Sequence, residues 1–260
     1  MRTQKEILDT VLNSGAAKAA LTRSRRGLGR LVILSIMAGA FIALGGALSV
    51  IIGSGFPGAT AANSGLQRLG AAVVFPVGLV LVVSFGAELF TGNNALLMPG
   101  WLGRRYGVGA VIANWTVVWV GNFAGAMLFT VLLGNGAGIF DGAPYGEALS
   151  AMAERKCSLD FMTCFLRGIG ANWCVCLAVW LAIGAKTFGG KVIACFLPVA
   201  AFVALGYEHC VANMFFIPAG MLSGADVTAA MLAANLAAST AGNIVGGALF
   251  VGTLTYGMHR

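Results

Sequence analysis

The chain is poor in charge. Only 10% of its 260 residues are Asp, Glu, Lys or Arg, whereas a soluble domain carries about 25%. Hydrophobic residues make up 58%, so the composition predicts an integral membrane protein. The net charge of +7 does not indicate a nucleic-acid partner, because the basic cluster at 23–30 stands directly before the first apolar stretch, where Lys and Arg set topology.

Histidine is also scarce. His209 and His259 are the two histidines of the chain, too few for a bis-histidine haem or a zinc site built on histidines. The six cysteines form no C-x-x-C pair, and most lie in apolar segments, where Cys acts as a small hydrophobe. We therefore expect no catalytic residue, no metal site and no cofactor.

Long apolar runs are abundant. Six of them exceed the roughly 20 residues that span a bilayer, and they lie near 29–53, 70–98, 108–134, 161–185, 191–219 and 227–256. We expect 28–260 to form one transmembrane domain. The polar segment 1–27 is either a cytoplasmic interfacial helix or a frayed leader. Most Lys and Arg residues fall on one side of this topology, which predicts that both termini are cytoplasmic.

Two polar motifs recur within the apolar runs. The pattern G-x-E-x-x-x-x-N occurs at 86–93 and at 206–213, and G-N-x-x-G follows at 121–125 and at 242–246. Polar residues at membrane depth are costly and rarely lack a role. The repetition predicts an all-α channel or transporter built as an inverted 3+3 repeat of six transmembrane helices, with the second and fifth helices broken at the motifs.

Several of these residues allow two interpretations. Glu88 and Glu208 are either proton carriers or acceptors for N–H groups freed at a helix break, and their symmetric placement favours the structural role. His209 is either a packed histidine or a proton-labile donor facing a lumen, and its depth favours the lumen. Lys156 is either an interfacial anchor or a charge that attracts an anion. The structural role is also expected for four asparagines: Asn93, Asn213, Asn122 and Asn243.

Four segments resemble the signatures of the formate/nitrite transporter family. They are 37–41, 86–93, 171–180 and 206–218, and they run through most of the chain. The resemblance implies a homopentamer of aquaporin-like six-helix protomers in a lipid bilayer, each with its own pore. It also implies that the pores conduct small monovalent weak-acid anions, namely formate, nitrite or hydrosulfide, and that the protein is not an enzyme.

The resemblance also assigns roles to residues. It implies that Thr91 and His209 face each other at the pore centre, that Asn172 lines the lumen and that Lys156 supplies positive potential. It implies that the N-terminal segment is a cytoplasmic helix implicated in gating. Cys210 departs from the Ser expected after the central histidine. The two implied constrictions are a cytoplasmic one of Leu79, Leu89 and Phe90, and a periplasmic one of Phe75 and Phe202.

The substrate is less sharply indicated. Arg167 and the pair at 172–173 resemble the nitrite-channel branch, whereas 216–220 resembles the formate and hydrosulfide branches. Formate is the first expectation, in a bacterial inner membrane. We expect desolvation at the constrictions to favour the neutral acid, with His209 donating a proton or a hydrogen bond.

Three alternatives remain at this level. A neutral-solute channel of aquaporin type would use paired Asn-Pro-Ala motifs, and the sequence has none. A membrane enzyme or redox subunit would need a nucleophile with its base, or metal ligands. A receptor or assembly subunit with a vestigial pore would not need polar residues at pore depth.

Overall fold

The computed structural model describes residues 1–259, and every regular element within them is helical. Two π-helical segments occur: Phe129–Gly134 continues α7, and Val245–Thr253 joins α12 to α13. The fold is all-α, as predicted. The helices are α1 Gln4–Leu21, α2 Arg25–Ser54, α3 Pro57–Thr60, α4 Ser64–Val74, α5 Val77–Phe85, α6 Phe90–Leu102, α7 Val108–Leu128, α8 Tyr145–Cys157, α9 Phe161–Gly184, α10 Phe188–Leu205, α11 Cys210–Leu222, α12 Ala229–Ile244 and α13 Leu254–His259.

Six helical units in this part of the chain are long and apolar enough to cross a bilayer. They confirm the six predicted spans. Two predicted runs, 70–98 and 191–219, each divide into a spanning unit and a shorter half-helix, α6 or α11. The spanning units are Arg25–Ser54, Ser64–Phe85, Val108–Gly134, Phe161–Gly184, Phe188–Leu205 and Ala229–His259.

The second and fifth spans break at matching glycines. Gly86 ends α5 with φ 62°, and Gly206 ends α10 with φ 71°. This left-handed conformation carries little penalty only for a residue without Cβ. After each glycine the chain is extended. It reaches Leu89, the N-cap of α6, in the first half and His209, the N-cap of α11, in the second half. The predicted breaks at the two G-x-E motifs are confirmed.

The internal repeat extends beyond the six spans. In the first half, α1 packs on α6 and α2 packs on α7. In the second half, α8 packs on α11 and α9 packs on α12. The order of a short polar helix, a span, a broken span and a further span therefore occurs twice. This order makes the N-terminal helix α1 the counterpart of α8.

The helix α1 is firmly attached to the bundle. Thr3 caps its first turn, and its hydrogen bonds to the Glu6 carboxylate lower the pKa of Glu6. Arg2 donates through its backbone N–H to the carbonyl of Gly184, at the end of α9. One face of the helix is buried against α6 and α9, and its large apolar side chains are Ile7, Leu8, Val11 and Leu12. These contacts favour an ordered helix over a frayed leader.

Helices α2 and α7 lie very close together at Gly125 of α7. A Cβ atom added to Gly125 would overlap the backbone carbonyl of Ile36 in α2. We expect Gly125→Ala to lower the thermal unfolding midpoint of the detergent-solubilised protein, because overpacking of this kind costs about 1–3 kcal/mol. Gly109→Ala on the same helix is the matched control, since a Cβ there meets nothing within 4 Å. Equal midpoints for the two variants would contradict the close helix contact.

Candidate pore site

The carboxylate of Glu88 is buried at the first helix break, and the side chain is 6% exposed. Its Oε1 accepts a hydrogen bond from Lys18 Nζ at 2.8 Å, and its Oε2 accepts from Asn93 Nδ2 at 2.7 Å. Its backbone N–H donates to the carbonyl of Leu34 at 3.1 Å. A buried charge is tolerated only when it is paired and hydrogen-bonded, and Glu88 meets both conditions.

Asn122 bridges the same break through its side-chain amide. Its Oδ1 accepts from the backbone N–H of Phe90 at 2.9 Å. Its Nδ2 donates to the carbonyls of Glu88 at 2.9 Å and Ser35 at 2.8 Å. The Phe90 N–H and the Glu88 carbonyl lie at the break and have no intrahelical partner, whereas Ser35 belongs to the continuous helix α2. Unsatisfied backbone groups are costly in a bilayer. Asn122 therefore satisfies backbone groups of the broken span.

The second half contains the same arrangement around Glu208. Lys156 Nζ lies 3.1 and 3.0 Å from the two carboxylate oxygens of Glu208, and Asn213 Nδ2 donates to Oε2 at 2.7 Å. Asn243 accepts from the backbone N–H of Cys210 at 2.8 Å and donates to the carbonyls of Glu208 at 2.9 Å and Gly168 at 2.8 Å. In both halves these contacts favour the structural interpretation of the glutamates and asparagines.

Sequence reasoning missed three members of this network. Asn93 Nδ2 also donates to Asn114 Oδ1 at 2.9 Å, and Asn213 Nδ2 donates to Asn235 Oδ1 at 2.8 Å. Asn114 and Asn235 have the same spacing as Asn122 and Asn243, so extending the repeat would have found them. Lys18, the counterpart of Lys156, gave no sequence signal, because it lies in a polar segment outside the apolar runs.

Lys156 is not an isolated charge. Its ammonium is bound by both oxygens of Glu208, so the pair acts mainly as a dipole. The same Nζ lies 5.4 Å from the ring centroid of Phe216, which stacks on Phe75 at 6.3 Å. Lys156 is therefore anchored beside the predicted periplasmic constriction. Any positive potential that it adds to a pore is reduced by its carboxylate partner.

Thr91 and His209 meet, although they are far apart in sequence. Thr91 Oγ1 lies 2.9 Å from His209 Nε2, and both residues are buried. His209 Nδ1 accepts the backbone N–H of Ala212 at 3.1 Å. A ring nitrogen that accepts carries no proton, so the hydrogen-bond pattern assigns the proton to Nε2, which donates to Thr91. The repeat places Val211 and Leu89 at the counterpart positions, so the pair takes one residue from each half and has no symmetry-related copy.

An aromatic pair lies on one side of His209. The ring of Phe202 lies 5.8 Å from the ring of His209 and 5.6 Å from the ring of Phe75. Both phenylalanines are 3% exposed. The structure therefore brings the two residues of the predicted periplasmic constriction together, in contact with the predicted pore centre.

A cavity of about 280 Å³ opens on the other side, next to α1. Leu79 and Leu89, two residues of the predicted cytoplasmic constriction, line it. Phe90 does not line it, and its ring packs edge-on against Trp115 at 6.3 Å. The described residues of the lining include no acidic side chain. Its polar or basic side chains are those of Arg2, Thr10, Ser14, Lys18, Asn93 and Lys191.

Asn172 is fully buried behind the pore centre. Its Nδ2 lies within hydrogen-bond distance of the carbonyls of Thr91 at 3.2 Å and Asn243 at 2.6 Å, and of Asn94 Oδ1 at 3.0 Å. These partners belong to the protein itself. The side chain therefore binds the backbone of Thr91 rather than the hydroxyl that faces His209, and its lumenal role stays a prediction.

The arrangement matches a known family. The profile described as "Formate/nitrite transporter" fits residues 5–257. The chain belongs to the formate/nitrite transporter family. The resemblance drawn from the motifs is thus confirmed, and the chain is a multi-pass membrane protein of a transporter family.

Relatives and solved structures of the formate/nitrite transporter family agree with this membership. A probable formate transporter of Methanothermobacter thermautotrophicus is 41% identical over 241 residues, 87% of this chain and 88% of the relative. A formate channel of Bacillus thuringiensis is 38% identical over 248 residues, 95% of this chain and 92% of the relative. A solved ion channel of the family is similar with a TM-score of 0.89 at 28% identity, covering 98% of this chain and 99% of that one. A solved pentameric formate channel with formate bound is similar with a TM-score of 0.77 at 29% identity, covering 91% and 99%.

Removing the Asn122 side chain tests the network at the break. We expect Asn122→Ala to lower the thermal unfolding midpoint markedly, because each buried backbone group left unsatisfied costs about 1–3 kcal/mol. The control is Asn63→Ala, at an exposed turn where the Nδ2 is 3.4 Å from the carbonyl of Ala59. A midpoint for Asn122→Ala equal to that of the control would refute the bridging role.

The tautomer of His209 is directly measurable, because the chain has two histidines. We expect ¹⁵N NMR of the histidine-labelled protein at neutral pH to show one protonated ring nitrogen, Nε2, and one unprotonated nitrogen, Nδ1. His259→Gln removes the second set of signals and leaves those of His209. A protonated Nδ1 at His209 would contradict the assigned hydrogen bond from Ala212.

Proposed function

We propose that the protein is a channel for small monovalent weak-acid anions, with formate first and nitrite or hydrosulfide next. The observation that carries the proposal is the Thr91–His209 pair, buried at 2.9 Å between two apolar constrictions. The Thr91 hydroxyl proton has no acceptor among the described residues, and the His209 Nε2–H donates to Thr91 Oγ1 until an ion replaces it as acceptor. The pair can thus offer hydrogen-bond donors at the point where an ion would have lost its water. This arrangement suits a small oxyanion or its acid, which has oxygen acceptors.

The charge around the path supports an anion rather than a neutral solute. Arg2 and Lys191 line the cavity next to α1, with no acidic side chain among its described lining residues, and the charge of Lys18, which also lines it, is offset by Glu88. A cleft lined by one sign of charge concentrates ions of the opposite sign. The relatives named for formate, and the similar pentameric channel with formate bound, favour formate within this class.

Desolvation explains why the path suits weak acids. A bare anion between Phe202 and Leu89 would be strongly penalised, because apolar walls cannot replace its water. The same desolvation raises the pKa of a carboxylic or nitrous acid and so favours the neutral form. Protonation of the substrate near the first constriction therefore lowers the barrier. Flux should rise as pH falls, because the neutral fraction of the acid increases.

Within this mechanism, His209 acts as a hydrogen-bond donor. A proton relay would require Nδ1 to take up a proton as Nε2 releases one. Nδ1 already accepts the backbone N–H of Ala212, and protonation would break that bond at the start of α11. The proton that accompanies the anion is thus proposed to travel on the substrate, while His209 and Thr91 hold it at the centre.

We further propose a homopentamer in the bacterial inner membrane, with both termini and the cavity next to α1 on the cytoplasmic side. The similar pentameric channel supports the assembly. The basic residues before α2 and between α6 and α7 support the orientation. In this orientation α1 stands at the cytoplasmic mouth, where its displacement would widen or close the cavity, which is consistent with the gating role expected from the resemblance.

Anion flux into proteoliposomes tests the proposed function. We expect saturable uptake of formate, weaker or comparable uptake of nitrite and hydrosulfide, and little uptake of chloride or glycerol. His209→Ala should reduce formate flux at least about tenfold, because loss of a donor to a desolvated charge costs roughly 1.5–3 kcal/mol. His259→Ala is the control, since that residue lies at the end of α13. Uptake of glycerol alone would contradict the anion channel.

A second variant of His209 distinguishes a side chain that donates a hydrogen bond from one that relays a proton. His209→Asn can place an amide oxygen near the Ala212 N–H and retains donors, but it cannot titrate. We expect this variant to keep part of the formate flux, with internal pH changing in step with formate uptake as in wild type. Formate flux without the accompanying pH change would instead show that His209 carries the proton.

A further inference from the structure

The two halves can be aligned through the hydrogen bonds that they share. The Glu88 N–H bonds to the carbonyl of Leu34, and the Glu208 N–H bonds to the carbonyl of Arg167. Asn122 and Asn243 likewise bond to the carbonyls of Ser35 and Gly168. Each pair matches a residue of α2 with a residue of α9. The repeat therefore relates these two spans residue by residue.

In this alignment, two residues of α9 that lie close to Thr91 have no polar counterpart in α2. Asn172 corresponds to Gly39, and Cys176 corresponds to Ala43. Asn172 lies one turn and Cys176 two turns beyond Gly168, on the side of Thr91. Both residues are at most 1% exposed. Thr91 and His209 break the symmetry in the same region. Four departures from symmetry therefore lie close together around Thr91 and His209.

The thiol of Cys176 lies close to both the Thr91 carbonyl and the Asn172 amide. Its Sγ lies 3.2 Å from the carbonyl oxygen of Thr91 and 3.4 Å from Asn172 Oδ1. Within the described residues, the thiol is the one hydrogen-bond donor to Asn172 Oδ1. The Nδ2 side of the same amide faces three acceptors, including the Thr91 carbonyl. The three acceptors fix which way the Asn172 amide is turned, and the thiol supplies the donor that Oδ1 then needs.

We propose that Cys176 is a positioning residue for the pore centre. Its single S–H can donate to the Thr91 carbonyl, which holds the first turn of α6 against α9, with Asn172 Oδ1 as the second acceptor within reach. This contact sets the distance from Thr91 Oγ1 to His209 Nε2, because His209 is fixed separately at the start of α11. Without the thiol, both acceptors lose a buried donor and the Thr91 hydroxyl loses its fixed position.

The flux arm of the test rests on the proposed function. We expect Cys176→Ala to lower formate uptake about fivefold or more relative to chloride, since a buried acceptor loses its donor. Cys176→Ser should restore most of the selectivity, because a hydroxyl keeps a donor at this position. Cys195→Ala is the matched control: Cys195 is equally buried at 1% and makes no side-chain hydrogen bond within residues 1–259. It should leave selectivity unchanged.

A second arm does not depend on transport. In histidine-labelled protein carrying His259→Gln, the ¹⁵N shift of His209 Nε2 reports its hydrogen bond to Thr91. We expect that shift to move in Cys176→Ala and to stay in Cys176→Ser and Cys195→Ala. Unchanged shift and selectivity in Cys176→Ala would overturn the positioning role. If wild type carries no formate, the proposed function fails and the ¹⁵N shift alone decides the role of Cys176.

Discussion

Everything else in this fold depends on satisfying backbone groups where two membrane-spanning helices are interrupted. A broken helix exposes N–H and C=O groups that water cannot reach at membrane depth. Asn122 and Asn243 bond to these groups in each half. Glu88 and Glu208 hold the adjacent asparagines and each take a lysine as counter-ion. Removing one partner of a buried ion pair typically costs about 3–5 kcal/mol, so each set works only as a whole.

That requirement explains why the polar residues of the scaffold are symmetric. Both halves have to solve the same problem, and they use the same side chains in the same geometry. Transport has no such need for symmetry, because one path is shared by the two halves. Accordingly, the Thr91–His209 pair is formed by one residue from each half, at positions whose counterparts are Val211 and Leu89. Symmetric polar residues maintain the breaks, and in the proposed mechanism the asymmetric pair Thr91–His209 faces the path.

Sequence reasoning found the parts of the site that repeat or that stand out by residue type. The glutamates and asparagines of the breaks were identified because each motif occurs twice, and His209 because a histidine in an apolar run is rare. Lys18 was missed, because its partner Glu88 is distant in sequence and its own segment is polar. Asn172 was expected at the lumen, whereas its amide binds the backbone behind Thr91. No local pattern distinguishes a side chain that faces a pore from one that faces a neighbouring helix.

The sequence was enough to predict that the protein lies in a bilayer, that it has six spans in an inverted repeat, and where the two helices break. These properties follow from hydropathy, glycine and motif spacing, which act locally along the chain. Without the family resemblance, nothing in the residues indicated that Thr91 meets His209. The three-dimensional structure shows that contact, the match between α1 and α8, the cavity beside α1 and the pairing of Lys156 with Glu208. Each of these depends on which faces of separate helices turn toward one another. That choice is made by packing and by the pairing of buried charges across the whole bundle, so it cannot be derived from any single segment.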